Sequence, residues 1–597
     1  MDDLSFPWAP FAKEEYVDME AYKYTPISPQ DEIRCLILEP GQDEDPLTGS
    51  IKTYKLTEAP EYEAISYAWG LPLFRSEIVC DGRQISITRT LRDSLRQCRL
   101  PNEQRVLWAD SICINQDDKH EKSHQVRLMA GVYSQATQVL ICLGPDDDDH
   151  AERAFSFIRD VNRVIEDQLR SCHGWDSFPE VPLTHPLLHD TRWESFSAFT
   201  KKAWFYRGWV IQEATLAPKA QVIYGRLNCD WSHVLRIFTW KVRRIESAFE
   251  KYNPNSLVLH IDSYQSRFKS EAIKFFPEHN FRLYSLPDIL HCAKTLAFTD
   301  PRDRIYAFMG LPIAKYYRNG LEISYEATML ETYHSFARFC VDQIRDLELL
   351  HFVEHDGNTV FSAFPSWVPQ WQTNIYRILL TRSWCAPIAP ERMPVTTPVA
   401  KRGKYGVGYL NLKGMLIDSV AFASGCLNEP CSVADLAKVW AKFQEYEHRH
   451  SLSVHAKYPP VSAFLEAITC GRSGAHRNSN YEEAIAIESM YIQHLEGQLP
   501  VEHGPRDAIA AANSVSLKED ERLQLMHSIV VDHIHNHKIT ITQRGFYCLA
   551  PGVAEEGDLC YILYGTKTPF VLRKSEATGL YQLLGEAFMV FSPIQIG

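Results

Sequence analysis

Long apolar runs are what this 597-residue chain most plainly lacks. No stretch approaches the ~18 consecutive apolar residues of a membrane span, and the most apolar segments, such as 139–144, are strand-sized. Positive charge is not in excess either. Lys and Arg number 62 against 75 Asp and Glu, a net charge of -13, which argues against the concentrated basic face of a nucleic-acid binder. The 15 cysteines include no C-x-x-C pair, the nearest being Cys426 and Cys431. Cys35, Cys113, Cys142 and Cys340 sit instead in apolar runs, so they read as reduced, mostly core thiols of a cytoplasmic or nuclear protein. A Gly-rich phosphate loop is also missing, as are internal repeats and low-complexity tracts. The opening MDDLSFPWAPFAKEEY is acidic and does not read as a signal peptide.

What is present points to a large globular protein. Hydrophobic residues make up 45% and aromatics 12%, enough for well-packed cores. The length suggests about three or four domains at ~150 residues each. Residues 1–20 read as a leader. From 21 to 225, strand-like segments (YKYTPI, EIRCLILEP, YEAISYAWG, VLWADS, TQVLICLGP, QVIYG) alternate with helical ones. That alternation predicts an α/β fold, Rossmann-like, with a mostly parallel sheet and flanking helices. SEIVCDG and RQISITR, joined at Asp81-Gly82, predict a hairpin. Residues 226–400 read as mainly helical. Residues 401–597 read as an α+β domain that ends in a small β-barrel or meander, with GRSGAHRNSN (471–480) as a mobile loop.

The stretch RGWVIQEATLAP, from Arg207 to Pro218, is the most unusual. As a helix it places Trp209, Gln212 and Glu213 on one face, since residues three and four apart are neighbours. SYAWG, ADSICINQ and CLGPDDDD fall at strand ends, where open α/β sheets bind ligands. Tyr67 and Trp69, two apart on one strand, point to the same side and either wall a pocket or pack in the core. Asp110 ends its strand and serves either a site or a cap. Asn115 and Gln116 read as turn-fixing residues. Cys113 lacks a histidine at a recognisable spacing and reads as inert. Asp146–Asp149 reads as a solvated loop rather than a spaced cation site. His533, His535 and His537 share one face if extended, but no further ligand is evident; a surface strand or loop is the reading, and no metal is expected.

EAISYAWG, LWADSICINQDDKHEKSHQVRLMAGVYSQATQVLICLG and RGWVIQEATLA, in this order and spacing, resemble the three signature blocks of the fungal heterokaryon incompatibility (HET) domain. TDPRDRIYAFMGL and GDLCYILYGTKTPFVLR resemble segments that accompany it. Two positions depart from the pattern: Leu71-Pro72 follow Gly70 where an acidic residue is common, and Ser111 stands where Ala is usual. The resemblance implies a protein of fungal non-self recognition and programmed cell death. HET domains have been proposed to be distant relatives of TIR domains. Here YEAISYAWG resembles the opening TIR strand and VLWADS the second. AWFYRGWVIQEA resembles the TIR helix in which a Trp precedes the catalytic Glu by four positions, a spacing that Trp209 and Glu213 keep. The implied fold is TIR-like, and the implied activity is NAD cleavage at the nicotinamide–ribose bond or scaffold assembly.

On that reading Glu213 is the catalytic carboxylate, because glycosidic cleavage passes through an oxocarbenium-like state. Tyr67, Trp69, Asp110, Trp209 and Gln212 are the candidate substrate-binding residues. The alternative makes Glu213 a buried structural carboxylate paired with Arg207 or another arginine, Trp209 a core aromatic and Gln212 a backbone cap. No cofactor is required; NAD or another nucleotide would be substrate. A protein partner or self-association would activate the chain. Rival functions are a non-catalytic signalling module and a HET scaffold recruited to another role, such as small-molecule biosynthesis.

Overall fold

Ile33, Cys35, Leu36 and Leu38 are all buried, so the strand that carries them, β1 (Glu32–Leu38), is covered on both faces. Its partner β2 (Thr48–Lys55) is mostly polar and partly exposed, which is why no apolar pattern announces it. The computed structural model describes residues 20–590, apart from 43, 71–74, 147, 173–177, 180, 182–183, 245–284, 345–346, 362–363, 374–400, 403–407, 428–430, 451–459, 472–490, 494, 496–525, 528–529 and 532. The expected leader up to residue 19 and the expected mobile loop at 472–480 lie outside the described residues. The chain forms two compact units. The first comprises residues 1–283, 296–316 and 322–326; the second comprises 284–295, 317–321 and 327–597.

The first unit is built on a nine-stranded sheet. After β1 and β2 come β3 (Glu63–Tyr67), β4 (Arg75–Cys80), β5 (Arg83–Thr88), β6 (Arg105–Trp108), β7 (Gln138–Cys142), β8 (Ala220–Tyr224) and β9 (Leu227–Asp230), in the spatial order β5-β4-β2-β1-β6-β3-β7-β8-β9. The sheet is mixed, not mostly parallel as the alternating pattern predicts. Only β6-β3-β7-β8, together with β2-β4, pair in parallel. The remaining pairs are antiparallel. Parallel pairs need long crossovers, and the helical segments supply them for the central strands alone. At the edge, β4 and β5 form the expected hairpin, with Asp81 at φ 51° and Gly82 at φ 73°, as a type I′ turn requires. YKYTPI is not a strand; only Ala21 bridges to Gln84 beside it.

The helices follow local signals. Thr88 accepts from Leu91 N and starts α1 (Arg89–Cys98). Asp110 opens the short α2 (Asp110–Cys113) straight after β6. Asp118 accepts from the amides of His120 and Glu121 and caps α3 (Lys119–Gln135), an N-cap arrangement. Asp146 accepts from His150 N at 2.9 Å and Ala151 N at 3.0 Å, so this member of the acidic run serves the start of α4 (Ala151–Ser171). Next come α5 (Trp193–Thr200) and α6 (Val210–Leu216). No helix among the described residues is long and apolar enough to cross a membrane.

In the second unit, seven strands form an antiparallel sheet: 581–586, 569–574, 559–563, 414–423, 537–542, 547–551 and 588–589, in that spatial order. The run 559–586 is a three-strand meander. Helices Val433–His450 and Pro460–Ile468 contribute Trp440, Phe443 and Phe464 to a core that includes Tyr547 and Leu549 of the sheet. The three histidines of DHIHNH do not share a strand face. His533 and His535 precede the strand, Asn536 turns at φ 57°, and only His537 lies in the ladder. His533 and His537 are buried, not on a surface strand or loop, because the chain folds back sharply to start the strand. Among the described residues no group of three or more His, Cys, Asp or Glu is arranged to hold a metal.

Candidate functional site

β3 pairs in parallel with both β6 and β7, and Ser66 near its end is buried and needs a partner. It has two. The Trp204 indole N–H donates to its Oγ at 2.7 Å, and its own hydroxyl donates to Glu213 Oε2 in a short bond. Glu213 lies on α6, on a turn that buries Val210, Ile211, Gln212 and Ala214 with it. Its side chain is 1% exposed. The second oxygen, Oε1, has no hydrogen-bond partner among the described residues; the nearest cation, Arg207 Nη2, stands 3.9 Å away. Burial pushes Glu213 up to about 7, with Arg207 and the Ser66 hydrogen bond pulling down and Asp110 adding to the rise.

Arg207 links this carboxylate to the strand ends. Its Nη1 donates to the backbone carbonyl of Tyr67. Burial works to lower Arg207, but Glu213, Asp110, Tyr67 and Tyr133 together outweigh it and the net direction is up. β3 and β6 run side by side with Ala64 opposite Trp108, so the residues just past them meet. Trp69 Nε1 donates to Asp110 Oδ2 at 2.9 Å. Ser111 N donates to Asp110 Oδ1 at 2.8 Å, and Tyr67 OH to Ser111 Oγ at 2.7 Å. Burial raises Asp110 against the opposing pull of Arg207 and these donors. Gln116 donates to Asp110 O at 2.9 Å, and Asn115 Oδ1 accepts from Asp117 N at 3.3 Å. Cys113 is buried and its thiol is pushed up to about 12, chiefly by burial.

Of the residues singled out by sequence, Tyr67, Trp69 and Asp110 therefore form one hydrogen-bonded group at the carboxyl end of the parallel strands. Glu213 forms a second with Ser66 and Trp204, and Arg207 reaches both. Trp209 and Gln212 engage neither. Trp209 Nε1 donates to Asp303 Oδ2 at 3.0 Å, and Gln212 Oε1 accepts from Gly310 N at 3.0 Å. Tyr325 OH occupies the other oxygen of Asp303 at 2.5 Å. Burial pushes Asp303 up to about 6, opposed by both of these donors. Sequence reasoning did not pick out Ser66, Trp204 or Asp303. The legible signals were a serine inside an otherwise apolar strand and the Asp-Pro-Arg-Asp run of the segment that accompanies the third block.

Residues 62–213 match the family described as heterokaryon incompatibility protein (HET). Over these residues the chain is similar to the HET family. The matched segment runs from the start of β3 to Glu213 itself. Heterokaryon incompatibility protein 6, OR allele, of Neurospora crassa is 25% identical over 94% of this chain and 93% of its own length. No solved structure matches the chain. The HET segment contributes β3 to β7, while β1, β2, β8 and β9 complete the sheet from outside it.

Proposed function

We propose that this chain is a fungal heterokaryon-incompatibility effector whose HET domain cleaves NAD, with Glu213 as the working carboxylate. The HET match and the likeness along the chain to the Neurospora incompatibility protein support the biological role. The observation that carries the chemistry is Glu213 itself: a buried carboxylate near neutrality, with one oxygen bonded to Ser66 and the other without a hydrogen bond. In the proposed step the bond between nicotinamide nitrogen and ribose C1′ breaks. Its electron pair neutralises the pyridinium ring, the oxocarbenium ion at C1′ gains a water oxygen, and one proton is released. The Glu213 anion stabilises the developing positive charge. Trp69, Asp110 and Tyr67 would form the adjoining wall, and Trp209 and Gln212 would hold the helix behind Glu213. Since Glu213 is 1% exposed, substrate reaches it only when the residues sealing it give way, so activation by a partner or by self-association belongs to the proposal.

Purified protein, alone and forced into oligomers, is incubated with NAD while nicotinamide release is followed. Glu213→Gln is expected to abolish release. Because the anion is the acting form, the wild-type rate should rise with pH through about 7. Equal turnover by the two proteins would remove Glu213 from the chemistry. The burial of Glu213 against Ser66, Trp204 and Arg207 specifically favours a second reading, in which the domain signals by association without catalysis. Under that reading Glu213→Gln retains cell toxicity and no nicotinamide appears.

A further inference from the structure

Residues 296–316 and 322–326 lie well past the segment that matches the HET family, yet they belong with the block RGWVIQEA to the first unit. Ala297 bridges Arg207 in parallel register. Its N–H donates to Tyr206 O at 2.6 Å, and its carbonyl accepts from Gly208 N at 3.2 Å. Three successive contacts then follow along the block: Phe298 against Gly208, Asp303 on Trp209 and Gly310 on Gln212.

Asp303 is the contact with consequences for Glu213. Both of its oxygens are engaged, one by the Trp209 indole and one by the Tyr325 hydroxyl. Tyr325 is fixed in turn, because its N–H donates to Ser123 Oγ on α3 at 2.9 Å, and α3 packs against α6. On the other side, Glu213 N donates to Trp209 O at 3.2 Å. The indole that Asp303 holds therefore belongs to the residue whose carbonyl receives the Glu213 amide. A carboxylate with both oxygens engaged, one by the indole at the start of α6 and one by a tyrosine anchored to α3, restrains the rotation of the first turn of α6.

We propose that Asp303 is a positioning residue for Glu213: through Trp209 it sets the rotation of the turn that carries Glu213 to Ser66 and Arg207. The inference rests on the reading of Glu213 as the working carboxylate, and its test separates the two. In the full chain, the ionisation midpoint of Glu213 is followed by its carboxyl infrared band, assigned by the band's loss in Glu213→Gln. Nicotinamide release and thermal midpoint are measured alongside.

Asp303→Leu is expected to move the Glu213 midpoint and to slow release by about tenfold or more, since sub-ångström placement carries that weight. Asp303→Asn keeps an acceptor for Trp209 and is expected to restore both toward wild type. Tyr325→Phe removes one of the two bonds and should shift the midpoint less, in the same direction; it also decides the matter if Asp303→Leu does not fold. A variant whose melting temperature falls while the Glu213 midpoint stays in place overturns the positioning role. If Glu213→Gln turns over NAD as wild type does, the catalytic reading fails, and the midpoint comparison still decides whether Asp303 positions Glu213.

Discussion

Glu213 and Asp303 are carboxyls raised by the same cause, removal from water, to about 7 and about 6. Unfolded, a Glu titrates near ~4.3 and an Asp near ~3.9. The folded state therefore binds more protons than the unfolded state between those values and the raised ones. Each group adds stability at low pH and loses it as pH rises through its folded value. Melting temperature of the wild type should fall from about pH 4 to about pH 7 relative to Glu213→Gln, whose side chain does not titrate. Parallel melting curves for the two proteins would refute this if they track each other across that window. Around Glu213, the sequence shows a carboxylate with Trp209 four positions before it, but not Ser66 as its hydrogen-bond donor or Trp204 as the donor to Ser66. Those lie 147 and 9 residues away in the chain, and only the central place of β3 brings them in.

At the scale of elements, α6 is pinned on two sides, and Gly208 just before it shows how tightly. A Cβ there would stand 1.7–2.5 Å from the Phe298 ring. Gly208→Ala is expected to cost ~1–3 kcal/mol or more through overpacking, read from the denaturant midpoint. Adding Phe298→Ala should cost less than the sum of the single changes, because one clash is shared. The start of α3 is held more simply. Asp118 caps two amides, and Asp118→Ala should cost ~1 kcal/mol in the same assay. The run Asn115-Gln116-Asp117-Asp118 carries cap chemistry in the sequence itself, since capping is local. The antiparallel share of the sheet was not, because β2 is too polar to stand out and β1 meets it only through register.

For the whole molecule, the chain passes between its two units more than once. Residues 284–295 belong to the second unit and 296–316 to the first. Within the second unit, Lys294 and Glu354 form a buried ion pair at 2.5 Å, with His291 Nδ1 4.0 Å from the same carboxylate. Lys294→Met removes the cation 2.5 Å from Glu354. It is expected to destabilise that unit by ~3–5 kcal/mol, as breaking buried pairs does, measured by hydrogen exchange across the 414–423 and 537–551 strands. A fragment that stops at residue 244 lacks Phe298, Asp303, Gly310 and Tyr325. It should melt well below the first unit of the full chain, and addition of a 296–326 peptide should raise that temperature.

Local chemistry in the sequence determined the strands with apolar or alternating patterns, the Asp-Gly hairpin, the helix caps and the three HET blocks with Glu213 at their end. These depend on residues close together in the chain, where period, turn and cap preferences act. The tertiary structure alone decided that Tyr67, Trp69 and Asp110 join at the strand ends, that Ser66 and Trp204 enclose Glu213, and that Trp209 and Gln212 turn toward Asp303 and Gly310. The bonds that make these contacts, Ser66 to Glu213, Trp204 to Ser66, Trp69 to Asp110, Trp209 to Asp303 and Gly310 to Gln212, join residues far apart in sequence, and burial favours them because polar groups taken out of water need partners.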